Sequence, residues 1–285
     1  MNRFASTCKT LLFEKTFVKL FFLATVMISG LVSVQPALAQ SYAAAAKPTV
    51  FQAAGPSAAS IQSTVDQFRA ALGTVNNANN PGQPSGRREI NWDGGSPTNS
   101  ATTLTGTPLT TFLNTRGANI STLGSGFVQA PPSGLAATFG NSTYTNIFHA
   151  FSPLRLFSPI GSNVTDVQFF VPGSNGGTPA TSTGFGVVLA DVDSPDGGGV
   201  GLRTGNFLPS TLIEYFGVHG ELLYFSNAPA SPGDGNLSFL GVVFADARIA
   251  RVRIIAGNAA PGRNDGNGID IVMMDDFLYG EPTPY

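Results

Sequence analysis

From Phe148 to the C-terminus the apolar residues come in short runs, and turn-forming residues close each run. "VTDVQFFV" (164–171) alternates and gives way to "PGSNGGTP". "GFGVVLADV" (184–192) puts Phe185, Val187 and Leu189 on one face, with Gly184, Gly186, Val188 and Ala190 on the other. "TLIEYF" and "ELLYFS" flank "GVHG" and read as a hairpin. "LSFLGVVF" (237–244) and "RIARVRII" (248–255) flank "ADA" and read as a second one. Short period-two runs with Gly/Pro/Asn turns, and no helical pattern after residue 73, predict a mainly β chain: an antiparallel β-sandwich or barrel.

Before this region one helix is expected. In "SAASIQSTVDQFRAALG" (57–73), Ile61, Val65, Phe68 and Leu72 fall on a single helical stripe, between Ser57 as N-cap and Gly73 as stop. Phe68 is at its centre and should be buried against the sandwich. Residues 40–56 are Ala-rich and unpatterned and read as a loose N-terminus. "TVNNANNPGQPSG" (74–86) reads as a flexible linker. The expected organisation is a signal over 1–39, an N-terminal segment over 40–86, and the β-sandwich domain over 87–285.

The start of the chain reads as an export signal. Arg3, Lys9, Lys15 and Lys19 precede the apolar run Leu20–Val34, and Ala37-Leu38-Ala39 fits a small-x-small cleavage site, placing the mature N-terminus at Gln40. The run is shorter than the ~20 residues a membrane span needs, and no later apolar run escapes interruption by Gly, Pro or Asn. A secreted protein without a membrane span is therefore expected. The only cysteine, Cys8, falls in the part removed, so the mature chain has no thiol chemistry. Four of the fifteen Lys+Arg and one of the seventeen acids also fall there, leaving a mature net charge near −5. Such a chain has no electrostatic footprint for nucleic acid.

Catalytic signatures are missing. There is no G-x-S-x-G elbow, H-E-x-x-H helix or phosphate-binding glycine loop. His149 and His219, the only histidines, read as a structural histidine and a loop residue. Glycoside hydrolysis needs only two carboxylates at a suitable separation, and the chain has several Asp and Glu, but no pair is singled out.

Four features carry weaker signals. "ADVDSPDGGG" places Asp191, Asp193 and Asp196 in a Gly-rich turn; these can offer the hard oxygens that Ca²⁺ prefers, or be a solvated turn. The third acid stands one residue too late for an EF-hand. "GRNDGNGID" (262–270) has the same ambiguity around Asn264, Asp265, Asn267 and Asp270. Trp92, followed by Asp93, is either a core anchor or a stacking platform for a sugar. The strand "IDIVMMDDFLY" is apolar on both faces up to Met274 and then carries Asp275 and Asp276. In a regular strand these two point to opposite faces, with Phe277 and Tyr279 continuing the face of Met273 and Asp275. Each then interrupts an apolar row and needs a partner: Arg248, Arg251 or Arg253, backbone N–H groups, or a metal ion.

"INWDGG", "RLFSPIGSNVTDVQFFVPG", "GFGVVLADVD", "LSFLGVVF" with "RIARVRI", and "MDDFLYGEP" together resemble an uncharacterised family of secreted bacterial proteins, over roughly residues 50–282. That resemblance implies an extracellular β-sandwich and no catalytic motif. More distantly, the C-terminal half is similar to jelly-roll modules of the galactose-binding kind, several of which bind sugars and many of which hold a structural Ca²⁺. The expectation is a jelly-roll-like sandwich acting as a non-catalytic extracellular binding or matrix module, with carbohydrate as ligand and Ca²⁺ as the one suggested cofactor. The alternatives are a secreted polysaccharide hydrolase using Asp/Glu and a purely structural cell-surface or biofilm protein.

Overall fold

The computed structural model describes residues 47–193, 199–200, 207–208, 211–265 and 268–285. The chain divides into two units, Met1–Ala43 and Ala44–Tyr285, and all described residues belong to the second. The expected signal, its cleavage point and Asp196 lie outside the described residues.

In chain order the elements begin with β1 (Thr49–Gly55), α1 (Ala58–Leu72), β2 (Arg87–Ile90), β3 (Thr103–Gly106), α2 (Leu113–Arg116), β4 (Ala118–Thr122) and β5 (Gly126–Ala130). Next come α3 (Pro132–Phe139), α4 (Tyr144–Ile147), β6 (Leu156–Ile160), β7 (Val164–Phe169), β8 (Ala180–Thr181) and β9 (Gly184–Ala190). The last group is β10 (Gly199–Val200), β11 (Phe207–Leu208), β12 (Leu212–Phe216), β13 (Leu222–Asn227), β14 (Leu237–Val243), β15 (Arg251–Ile255), β16 (Met273–Gly280) and β17 (Thr283–Pro284).

The fold is mainly β. One antiparallel sheet runs β1-β14-β9-β16-β6-β5-β3, with β2 also paired to β16; the other runs β13-β12-β15-β7-β4. Their facing sides make the first core, where Ile120, Val167, Ile213 and Val252 of the smaller sheet meet Phe127, Phe157, Phe185 and Phe277 of the larger. The larger sheet is covered on its other face too. There Ile61, Val65, Phe68 and Leu72 of α1, Leu135 and Phe139 of α3, and Tyr144 of α4 pack on Val128, Val188, Phe239 and Leu278. The predicted helical stripe is thus the buried face of α1. Strands such as β9 and β16, apolar on both faces, lie in the middle layer, buried along their whole length.

Four elements differ from expectation. β1 is a full strand of the larger sheet, paired with β14 from Thr49↔Val243 to Gly55↔Leu237, where a loose terminus was predicted. The 74–86 segment is pinned: Asn77 is buried, and its Nδ2 donates to Glu281 Oε2 at 2.7 Å. Among the described residues, three short helices follow residue 73. α3 hides behind "PPSG", yet proline is tolerated in a first helical turn, and Gly140, left-handed at φ 66, ends the helix. Finally, β14 and β15 form no hairpin. β14 pairs with β1 and β9, β15 with β12 and β7, so the chain crosses between sheets after β14.

Candidate functional site

The backbone of β16 decides where the acidic pair points. Met274 pairs with Leu189 of β9, and pairing resumes at Phe277 with Val187. Asp275 and Asp276 therefore stand opposite Val188 alone, as a β-bulge. The extra residue reverses the side-chain alternation. Met274, Phe277 and Tyr279 share the inter-sheet core, while Met273 and Leu278 face the helices. The regular-strand prediction for Phe277 and Tyr279 fails for this reason, and the two carboxyls are brought together instead of apart.

On its other edge β16 pairs with β6 at Met274 and with β2 from Phe277 to Gly280, leaving the acidic pair between them. The 151–152 segment reaches this gap. Asp275 Oδ2 accepts from Phe151 N at 2.7 Å and Ser152 N at 3.3 Å, and Oδ1 accepts from Ser152 Oγ at 3.1 Å. Asp276 Oδ2 accepts from Arg69 Nη2 at 3.3 Å, and the same nitrogen donates to Glu89 Oε2 at 3.1 Å. The partner is thus an arginine of α1, one position from the buried Phe68. Of the arginines suggested from sequence, Arg251 and Arg253 bond Asp166, and Arg248 bonds Asp246.

Burial pushes the Asp275 carboxyl well up, and the neighbouring Asp276 charge adds to this. Burial also raises Asp276, while Ser152, the Asp275 carboxyl and Arg69 pull it back. The surroundings therefore favour one protonated carboxyl in this pair, Asp275 more strongly than Asp276. The sign for stability follows. The folded state keeps a proton that an unfolded aspartate releases near 3.8, so stability is greatest at acid pH and falls as pH rises toward the folded pKa. Asp275→Asn keeps the shape and an acceptor for Phe151 N. Its melting midpoint is expected to fall less than wild type's as pH rises above the unfolded value, and to become the higher of the two once pH passes the raised folded value. Parallel wild-type and variant profiles would show that Asp275 is not the proton carrier.

Beside Asp276 a groove opens in two adjoining cavities. The first, about 480 Å³, is bounded by Arg69, Glu89, Asn91, Arg116, Ser152 and Asp276. The second, about 340 Å³, shares Asn91, Gly95 and Arg116 with it and adds Thr103, Thr105, Phe112 and Gln129. Arg116 forms no ion pair among the described residues, and its Nε is buried without a hydrogen-bond partner. Burial lowers its pKa, as does the charge of Arg88, against the opposing pull of Tyr279 and Glu89.

Trp92 borders the second of these cavities, and both it and Asp93 are buried. The Trp92 ring is 1 % exposed, stacks on Phe157 at 3.7 Å, and donates from Nε1 to Asp275 O at 3.1 Å. In this position it packs as a core anchor. Asp93 is buried, and its Oδ1 accepts from Arg155 N at 3.0 Å. Both hold the "WDGG" turn, in which Trp92 has a left-handed φ of 63°.

A separate cavity, about 250 Å³, lies at the end of β9 and is lined by Asp191, Asp193, Asp234, Asp265 and Asp270 with Thr143. It unites the two acidic runs that the sequence offered separately and adds Asp234, whose "PGDGN" context reads locally as a plain turn. Asp191 is 6 % exposed, and its Oδ1 is buried with no hydrogen-bond partner. Its carboxyl is pushed up to about 8, first by burial and then by Asp193, Asp270, Asp234 and Asp265. Asp193 Oδ1 accepts from Gly233 N at 3.0 Å, and Asp265 Oδ2 accepts from Asn141 Nδ2 at 3.0 Å and from Thr143 Oγ1. Among the described residues, no three His, Cys, Asp or Glu side chains stand close enough to hold one metal ion as they lie.

Neither histidine belongs to these sites; both are exposed. Among the described residues no helix is long and apolar enough to cross a membrane. No known protein family, curated protein or solved structure matches the chain.

Proposed function

We propose that this chain is exported and acts outside the cell as a non-catalytic binding or matrix module, with carbohydrate as its ligand class. The observation that supports this reading is Arg116. Its half-buried guanidinium borders both cavities of the groove with an unpartnered Nε, among the amides of Asn91 and Gln129 and the hydroxyls of Thr103 and Thr105. A buried donor without a partner costs roughly 1–3 kcal/mol. A polyhydroxylated ligand offers acceptors and donors to this set, with the Phe112 side chain as apolar wall.

Binding is favoured over hydrolysis by how the carboxyls are used. A general acid must reach the glycosidic oxygen. Asp275, the carboxyl that burial most favours in its protonated form, is 0 % exposed and bound to the 151–152 segment. Glu89 is held by Arg69 and Arg87, and Asp276 by Arg69. The hydrolase reading keeps one observation in its favour: Asp276, with its raised pKa, borders the groove together with Glu89.

The test is a glycan array with a parallel hydrolysis assay. Wild type is expected to retain a glycan without cleaving it, and Arg116→Ala to weaken that binding by roughly tenfold or more at an unchanged melting midpoint. Cleavage that disappears in Asp276→Asn would replace this reading with the hydrolase. Neither capture nor cleavage would leave the structural cell-surface role.

A further inference from the structure

We propose that the cavity at the end of β9, walled by Asp191, Asp193, Asp234, Asp265 and Asp270, is a binding site for a divalent cation of the Ca²⁺ class. Three separate stretches of chain supply these carboxylates: the segment after β9, the loop before β14, and the loop between β15 and β16. Among the described residues, no lysine, arginine or histidine lines the cavity. Like charges gathered at a partly enclosed site repel one another.

A second observation points to a ligand. Asp191 is almost completely buried, and its Oδ1, in a side chain that borders the cavity, has no donor. A buried carboxylate oxygen left without a partner is expensive, and proteins satisfy such groups with a hydrogen bond, a counter-charge or a metal. Here the first two are missing for this atom. Its place is fixed by the fold: Asp191 has a left-handed φ of 68°, and its backbone N–H donates to Asn236 O at 2.9 Å. The acid-bearing loop before β14 is thereby joined to the end of β9.

The donor set selects the ion. All candidate ligands are oxygens, from carboxylates and the Thr143 hydroxyl, which suits Ca²⁺ and excludes a preference for Zn²⁺ or copper. Mg²⁺ demands a tight octahedron, whereas Ca²⁺ accepts 6–8 oxygens at about 2.3–2.6 Å in irregular geometry. The carboxylates stand too far apart to chelate an ion as they lie, so binding draws the loops inward. Asp234, which is exposed, is the group to move onto an ion anchored at Asp191, and the exposed Asp193 keeps Oδ2 for it while Oδ1 accepts from Gly233 N. The ion then acts as a clamp between loops at one end of the sandwich, apart from the groove beside Arg116.

The experiment is a thermal melt of the chelator-treated protein with added Ca²⁺ or Mg²⁺, with calorimetric titration of Ca²⁺ in parallel. Ca²⁺ at about a hundredfold its Kd is expected to raise the melting midpoint by roughly 5 °C or more, and Mg²⁺ by less. Asp191→Asn should lose the Ca²⁺ shift while melting no lower than metal-free wild type, because it removes a repelling charge. Asp234→Asn, at an exposed position, provides a variant whose folding is not in question, and should weaken Ca²⁺ binding at least severalfold. Asp246→Asn, in an exposed pair with Arg248, should keep the full shift. Absence of both heat and shift in wild type overturns the proposal. So does Ca²⁺ binding that survives in both Asp191→Asn and Asp234→Asn.

Discussion

Arg88→Met is expected to lower the free energy of unfolding by about 3–5 kcal/mol. Arg88 and Glu281 form a paired fork at 2.6 Å through Nε and Nη2, with side chains 0 % and 1 % exposed. The guanidinium also donates to four backbone carbonyls: Ala78 at 2.8 Å, Asn80 at 2.7 Å and Thr115 at 3.1 Å from Nη1, and Pro81 at 3.1 Å from Nη2. Glu281 in turn accepts from Asn77 Nδ2 and, at 2.9 Å, from Gln83 N. Removing the arginine leaves a buried anion without its counter-charge and several carbonyls without a donor. Urea unfolding of Arg88→Met, Glu281→Gln and the double variant Arg88→Met/Glu281→Met separates these costs. The double variant should recover part of the loss, since a buried ion pair can be replaced by apolar groups at little cost, while the carbonyls stay unsatisfied. A single variant within about 1 kcal/mol of wild type would show that water replaces the guanidinium and that the 74–86 segment is not held by it.

That ion pair was invisible in the sequence. Arg88 and Glu281 read as unremarkable charges in "SGRREI" and "YGEP", and only the pairing of β2 with β16 brings them together. The legible parts were those governed by local periodicity. The stripe of α1 is visible because four apolar residues repeat at helical spacing, and all four are buried. β9 and β16 are visible because a strand covered on both faces is apolar throughout. β1 has no such signature: it is an edge strand of partly exposed residues, in which Phe51 and Ala53 pack on the helix side and Val50 on the inter-sheet core, and its ladder with β14 completes what a short Ala-rich stretch does not announce. The bulge at Asp275 and Asp276 is illegible for a different reason. An extra residue in one strand shows only against its partner's register. The acidic cavity falls between these cases. Its residue types were legible, but their convergence was not, because loops distant in sequence supply them. The arginine serving Asp276 comes from α1, so the nearest arginines in sequence were the wrong candidates.

Phe68→Ala is expected to cost about 3–5 kcal/mol, and the glycines beneath the ring explain why the upper part of that range is reachable. Phe68 is 0 % exposed and meets Phe51 and Phe239 edge-on at 5.5 and 5.3 Å. Its floor is backbone. Gly186 of β9 and Gly241 of β14 stand opposite each other in register. A Cβ built on Gly186 would lie 2.7 Å from Phe68 Cε1, and one on Gly241 would lie 2.6 Å from Cδ2. The ring therefore seats directly on the sheet, in a slot that exists because two paired strands carry glycine at the same level. Truncating the ring leaves a cavity whose floor is held by ladder hydrogen bonds and cannot collapse into it, so the loss exceeds simple transfer of the side chain from water. The converse substitution tests the same contact. Gly241→Ala should cost about 1–3 kcal/mol by displacing the ring, and much less in a Phe68→Ala background, where the methyl enters vacated space. Urea melts of the two single variants and the double variant give the coupling. Costs that add would separate the ring from its glycine floor, and an unchanged midpoint in Phe68→Ala would detach α1 from the sheet altogether.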